Sequence, residues 1–282
     1  MLPGLDDLQS LQSGINRETA AGWGYYRSHR AAVMRLLEEK VPRERPDAGC
    51  ILGAGNGNDL DLRRLTELCP VVHLVDVDRA AVSRAVSRCS DIRHRLVVHA
   101  PYDLTGLAAR AVARPSDAGA AENIVRTALS TVPAVGVARE SCGVVVSASV
   151  FSQLVATLSL VVSPDSPTFS GLVTVLRATH VHLMLSLLAP GATGIFVGEL
   201  ASSDLCPALV AARPHELARL ARRLVEERNF FTGMNPFALA ATALGTAVRD
   251  GRARDVTIHA PWIWRLSPAR CYLAYAVSFT KT

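Results

Sequence analysis

The segment Ile51-Leu52-Gly53-Ala54-Gly55-Asn56-Gly57-Asn58-Asp59-Leu60 places three alternating glycines where an apolar run gives way to a helical pattern. Glycines there let the backbone turn sharply and approach a ligand, and the helix that follows offers unpaired N–H groups. A bare strand-to-helix turn seldom needs three glycines at alternate positions, so the segment reads as a nucleotide-type site. Asn58 stands where the dinucleotide fingerprint GxGxxG has its third glycine, the one that packs helix against strand. Asp76 closes the next apolar run, VVHLVD. A carboxylate at that position accepts both hydrogen bonds of a ribose diol. An NAD site uses an acid in the same place, so Asp76 alone leaves the nucleotide open.

Other polar residues fall at the ends of later apolar runs. Ala100-Pro101-Tyr102-Asp103-Leu104 follows the third run and sets Asp103 where an adenine amino group could be accepted. The fourth run ends in Ser147-Ala148-Ser149-Val150-Phe151-Ser152-Gln153. Ser149, Ser152 and Gln153, a polar trio in so apolar a stretch, are candidate substrate residues, with helix capping by a serine as the alternative. Glu199 ends the fifth run, and strand C-termini of open sheets face the ligand crevice.

Tyr26 and Arg30 sit on an N-terminal helical pattern with Tyr25, Arg27 and His29. They are candidates to cover a cofactor or to clamp a substrate carboxylate or phosphate; solvated arginines on a packed helix are the alternative. Asn235, capping a new helix beside Phe230, Phe231 and Phe237, and Trp262 complete the candidate substrate set, with core packing the alternative for the tryptophan. His180 and His182 lie two apart on a helical pattern, hence on different faces, and the six cysteines include no CxxC pair, so no metal site is expected.

The elements that must position these residues follow from periodicity. Before residue 48 the pattern is helical: a polar lead, then Trp23 to Glu39 with Tyr26, Val33, Leu36 and Leu37 on one face, ended by Pro42 and Pro46. Short apolar runs then alternate with helical patterns: GCILG, VVHLVDVD, RLVVHA, CGVVVSAS and TGIFVGEL. Such alternation predicts a parallel sheet covered on both faces. Helices are expected after Asp78, over Leu172 to Leu188 with Pro190-Gly191 as its stop, and from Pro214. Near the C-terminus the period becomes two, with Val256, Ile258, Trp262, Trp264 and Leu266, a turn at Ser267-Pro268-Ala269, then Leu273, Tyr275, Val277 and Phe279. That is an antiparallel hairpin closing the sheet. Gly106 to Ser141, rich in Ala, Arg and Pro, is expected to form a helix and a surface loop.

In this order and spacing the motifs resemble those of the class I S-adenosylmethionine-dependent methyltransferases. LGAGNGNDL is similar to their first motif, LVDVD to the second, APYDL to the third, VVVSASVF to the fourth and LLAPGATGIFV to the one before the fifth strand. The likeness covers Cys50 to Leu200, and the terminal hairpin resembles their reversed last strand. It implies a Rossmann-like seven-stranded mixed α/β sheet, last strand antiparallel, over residues 47–282, behind an N-terminal helical cap at 1–46. It also implies that Gly53, Ala54 and Gly55, with Asn56 in the same turn, pack on the methionine part of S-adenosylmethionine. Asp76 would hold the ribose hydroxyls, Val77 flank the adenine, Asp103 accept from the adenine amino group with Tyr102 and Leu104 beside it, and Ser147 lie near the sulfonium. The chain departs from the pattern at Ile51, where an acid is usual, and it lacks an Asp-Pro-Pro-Tyr-like element. The second departure argues against methylation of exocyclic base nitrogens or of a glutamine amide.

Charge and composition narrow the acceptor. Of 282 residues 49% are hydrophobic and 20% charged, which excludes a disordered chain. The formal charge is +5, yet only Lys40 and Lys281 are lysines and the arginines form no dense run, which argues against a nucleic-acid groove. Ser141 to Pro164 carries no charge, but its serines and Gln153 predict a buried strand and helix, not a membrane span. Asp6 and Asp7 stand where an export signal needs apolar residues, so a cytoplasmic chain with reduced thiols is expected. The reading is a methyltransferase that moves the methyl to O or N of a small-molecule metabolite, as a monomer or homodimer, with S-adenosylhomocysteine as product and no legible general base. Its rivals are an RNA methyltransferase, an NAD(P)-dependent oxidoreductase and a catalytically silent cofactor-binding protein.

Overall fold

The computed structural model of the chain describes residues 4–41, 46–108, 118–250 and 252–282. Five strands run parallel: β1 (Ala48–Leu52), β2 (Val71–Val75), β3 (Leu96–His99), β4 (Cys142–Ala148) and β5 (Leu188–Ser202). Three more follow, β6 (Ala253–Ile258), β7 (Trp262–Arg265) and β8 (Cys271–Lys281). The sheet order is β3-β2-β1-β4-β5-β8-β6, with β7 also paired to β8, and β8 is antiparallel to β5. This is a Rossmann-like open sheet with its last strand reversed.

The first strand of the expected hairpin, sixth in the chain, is broken in two, making eight. β6 pairs with the end of β8 and β7 with its beginning; His259 N–H still donates to Ala276 O at 2.9 Å, and the chain leaves the ladder at Ala260-Pro261. Proline has no N–H to donate, which is the physical reason for the break. At the start of β5, Leu188 pairs with Cys142 and regular pairing resumes only at Thr193 with Val144. The expected Pro190-Gly191 stop is thus a bulge inside the strand, with Gly191 at φ 78°.

Alternate strand residues feed two cores. Cys50, Leu52 and Val145 join the side chains of α6 (Phe151–Ser159), α7 (Phe169–Leu187) and α9 (Pro236–Asp250), with Val125, Ala128 and Leu129 of α5 (Ala118–Ser130) and Leu217 and Leu224 of α8 (Leu217–Glu226). Ile51, Val144 and Val146 join those of α2 (Arg27–Lys40), α3 (Leu62–Leu68) and α4 (Arg79–Ser87). Period-two strands buried on both faces produce this division.

The charge-free stretch from Ser141 to Pro164 is accounted for by β4 and α6, and no helix among the described residues is long and apolar enough to cross a membrane. The loop expected between Gly106 and Ser141 falls partly outside the described residues. The N-terminal segment is two helices, not one. α1 (Leu5–Thr19) precedes a short turn at Gly22–Gly24, and α2 starts only at Arg27. Val33, Met34 and Leu37 of α2 share one core with Ile51 and Val146 of the sheet.

Candidate functional site

β1 is paired on one side with β2 and on the other with β4, so the strand order reverses between β1 and β4. The crevice at such a switch point, beyond the strand C-termini, is the general ligand position of open α/β sheets. Gly53 leaves β1 with φ 79°, and its N–H and that of Ala54 both donate to Val75 O, at 2.9 and 3.2 Å. This ties the glycine turn to the end of β2. Asp76 completes the tie: Oδ2 accepts from Gly55 N–H and Oδ1 from Asp78 N–H, each at 2.7 Å. Burial pushes the Asp76 carboxyl up to about 6, against the lowering effect of those two donors.

Two cavities adjoin here, sharing Gly53, Asp76 and Gln153. The first is walled by Val77, Tyr102, Asp103 and Leu104 and roofed by Leu8, Leu11 and Gln12 of α1. Asp103 is held rigidly, its Oδ1 accepting from Thr105 N–H and Oγ1–H and its Oδ2 from Ala108 N–H at 2.9 Å. Oδ2, with one donor, keeps a second lone pair for a ligand. The space enclosed is only ≈ 40 Å³.

The second cavity, ≈ 200 Å³, lies over Gly55 and Asn56 and is lined by Tyr26, Asp59, Ser149, Ser152, Glu199 and Trp264 among others. Ser152 Oγ–H donates to Glu199 Oε1, and Glu199 Oε2 has no partner among the described residues. Ser149 stands at φ 51°, a left-handed conformation that non-glycine residues adopt at a cost, and its buried Oγ is likewise without a partner among them. Neither serine caps α6, whose N-cap is Val150 with no side-chain bond. The Tyr26 ring meets Trp264 edge-on, with centroids 5.2 Å apart, and burial raises its phenol above the ordinary range.

Five expected site residues lie elsewhere. Ser147 is fully buried inside the sheet and bonds His180 Nε2 at 2.8 Å; burial lowers that imidazole to about 4. The Ala54 side chain belongs to the apolar core beneath the turn. Arg30 donates to Trp23 O and, at 2.9 Å, to Asn58 O, with its guanidinium 3.5 Å from the Trp23 ring, so it braces the glycine loop. Asn235 Oδ1 caps α9 by accepting from Phe237 N–H at 2.9 Å. Trp262 faces the outside of α2 and donates its indole N–H to His29 Nδ1.

The structure adds residues that the sequence reading passed over. Asn56 Nδ2 donates to Asn16 O and Asn58 Nδ2 to Thr19 O, while Asn16 Nδ2 donates to Asp78 Oδ2. The C-terminal end of α1 is thereby fastened to the glycine turn and to the N-cap of α4. Asp59, Trp264 and Tyr272 also line the second cavity, and His29 packs behind Trp264 with ring centroids 4.3 Å apart. Asp59 lay in plain view inside the glycine motif, and Trp264 in the alternating C-terminal pattern. Among the described residues no group of side chains is suited to hold a metal ion.

Burial pushes Glu199 up to about 8, with Asp59 adding a smaller repulsion. The unfolded chain releases this proton in the ordinary carboxylate range, whereas the folded chain keeps it to about pH 8. Its contribution to stability is therefore full at low pH and lost as pH rises toward 8 and above. Glu199→Gln removes that loss, on the order of a few kcal/mol. Melting curves are expected to separate the variant from wild type by several degrees at pH 9 and hardly at pH 5. A gap that does not change with pH would contradict the burial argument.

No protein-family model matches the chain, and no curated protein does. In fold it is similar to S-adenosylmethionine-dependent methyltransferases. One is the arsenic(III) methyltransferase of Chlamydomonas reinhardtii, 15% identical, covering 91% of this chain and 72% of that one with a TM-score of 0.42. Another is the N-methyltransferase NodS of Bradyrhizobium japonicum in complex with S-adenosylhomocysteine, 14% identical over 91% and 87% of the two chains, TM-score 0.45. A third is a putative methyltransferase of this type from Methanococcus maripaludis, 10% identical over 95% and 92%, TM-score 0.46.

Proposed function

We propose that the chain is an S-adenosylmethionine-dependent methyltransferase acting on an O or N atom of a small-molecule metabolite. The observation that carries this reading is the placement of Asp76: it closes β2, is locked to the glycine turn, and faces two adjoining compartments at the switch point. The free lone pairs of Asp76 would hold the ribose hydroxyls, and Asp103, beside Tyr102 and Leu104, would take the adenine amino group. Gly53, Gly55 and Asn56 would lie against the methionine part. When bound, the cofactor supplies a methyl group already electrophilic on its sulfonium.

What remains for the chain is to align a nucleophile and exclude water, a proximity effect that can supply up to ~7–11 kcal/mol. Ser149, Ser152, Gln153 and Glu199 converge on the compartment where an acceptor would sit. The ≈ 40 Å³ nucleoside compartment is far below the ~300 Å³ of small-ligand sites. Seating an adenosine there would need more room than Leu8, Leu11 and Gln12 of α1 now leave.

Against a dinucleotide site stand Asn58, whose side chain is committed to Thr19 O, and the reversed β8. Calorimetric titration with S-adenosylhomocysteine, NADH and NADPH tests the choice. Binding of the first in the micromolar range, about 8 kcal/mol, with no heat from the other two, is expected. Binding of a nicotinamide nucleotide alone overturns the reading.

A further inference from the structure

The second cavity holds more acidic side chains than a cofactor's ribose requires. Asp59 and Glu199 line it besides Asp76, and its lining includes no lysine, arginine or histidine among the described residues. Glu199, Ser149 and Trp264 are 7%, 3% and 6% exposed. Among the described residues Glu199 Oε2, Ser149 Oγ and Trp264 Nε1 have no hydrogen-bond partner, and Asp59 Oδ1 has only the long contact to His29 Nε2 at 3.4 Å. Buried polar atoms without partners are costly, so a cavity walled by several of them is built for a ligand that supplies the missing bonds.

The chemistry of that ligand follows from the wall. Two of the unpaired atoms, Glu199 Oε2 and Ser149 Oγ, accept hydrogen bonds, and the Asp59 carboxylate beside them is met only by a long contact from His29. An ammonium offers up to three N–H donors and a positive charge; an alcohol offers one donor and no charge. Beside the acids stand Tyr26, Trp264 and Tyr272, with Trp264 to Tyr272 centroids 5.3 Å apart, and aromatic faces attract cations.

His29 fixes the arrangement from behind. Its Nδ1 accepts from the Trp262 indole, so the neutral ring carries its proton on Nε2, which lies 3.4 Å from Asp59 Oδ1. That places a donor dipole on the protein side of Asp59 and leaves its charge to the cavity. A carboxylate or phosphate ligand would instead meet three acids and no cation.

We propose that the acceptor bound in this cavity is a primary or secondary amine, held as its ammonium by Asp59 and Glu199 against Trp264. The word acceptor rests on the methyltransferase reading; the selectivity for an ammonium does not. The positive charge of a bound ammonium favours the ionised form of Glu199 over the protonated form that burial favours in the empty cavity; Glu199 then takes one ammonium proton back onto its carboxylate, which leaves the nitrogen a lone pair. That lone pair forms the new N–C bond as the methyl–sulfur bond breaks with its electrons left on sulfur, so the positive charge passes to the methylated nitrogen.

The test is calorimetric titration of the full chain, alone and saturated with S-adenosylhomocysteine, with phenethylamine, tryptamine and 1,4-diaminobutane. The alcohols and carboxylates of the same skeletons serve as matched probes. At least one amine is expected to bind about tenfold or more tightly than its alcohol, with the carboxylate weakest. Glu199→Gln and, separately, Asp59→Asn should each remove that preference by about tenfold while S-adenosylhomocysteine affinity stays within about twofold. Amines that bind no better than their alcohols, or a preference indifferent to both variants, overturn the proposal even if the cofactor product binds. Amine selectivity without S-adenosylhomocysteine binding leaves the ammonium site standing and removes the methyltransferase reading.

Discussion

Asp76→Ala is expected to weaken S-adenosylhomocysteine binding by about tenfold to a hundredfold, the loss of a buried charged acceptor shared by two hydroxyls. The same substitution strips the partner from Gly55 N–H and Asp78 N–H, both now bonded at 2.7 Å. Leaving buried donors unpaired costs about 1–3 kcal/mol each, so a lower melting temperature accompanies the lost affinity. Asp76→Asn separates the two effects. It keeps one carbonyl acceptor but turns an NH₂ toward one of the two backbone donors, so affinity should fall less than in the alanine variant. Titration and melting of both variants check this. Unchanged affinity in Asp76→Ala would falsify the assignment of the ribose site, whatever the melting curves show.

The sheet was legible because buried parallel strands are short apolar runs, and all five parallel strands lie where GCILG, VVHLVD, RLVVHA, CGVVVSAS and TGIFVGEL stand. α1 was not, for a definite reason. Its buried residues are Leu8, Gln12 and Asn16, a stripe at the helical spacing in which two of three members are polar. Hydrophobic periodicity cannot register a face that is buried for its amides. The same limit hid the partners of Asn56 and Asn58, which lie about forty residues back along the chain, as the separations of 40 and 39 record.

Period-two reasoning placed Trp262 and Trp264 on one side of a strand, and both rings do pack on His29. It could not say that Trp264 alone of the two lines the cavity, while Trp262 lies against α2 and donates to His29. Ser147 and Ser149 show the complementary failure. Both end β4 in sequence, but the left-handed turn at Ser149 swings that side chain to the cavity, while Ser147 stays in the strand and meets His180. A backbone conformation decided the difference, and no residue type announced it.

Gly53→Ala should be the most damaging single-methyl change in the site. A Cβ there would stand 2.3 Å from Val150 Cβ and 2.7 Å from Val150 Cγ2, with the backbone at φ 79°. The left-handed backbone costs roughly 1–2 kcal/mol for a residue with a Cβ, and forced overpacking about 1–3 kcal/mol more. The melting temperature is expected to drop by about 5 °C or more, at ~2–4 °C per kcal/mol for a chain of this order of size. Binding should suffer as well, because Gly53 N–H and Ala54 N–H both hold Val75 O, and a shifted turn carries Gly55 away from Asp76.

Val150→Gly in the same chain removes the atoms that collide but not the backbone strain. The double variant should therefore regain much of the lost S-adenosylhomocysteine affinity while recovering only part of the stability, as melting and titration would show. Gly53→Ala with wild-type melting and wild-type affinity would mean that the turn yields without cost. The close approach of Gly53 to α6 would then have no part in shaping the boundary between the two compartments.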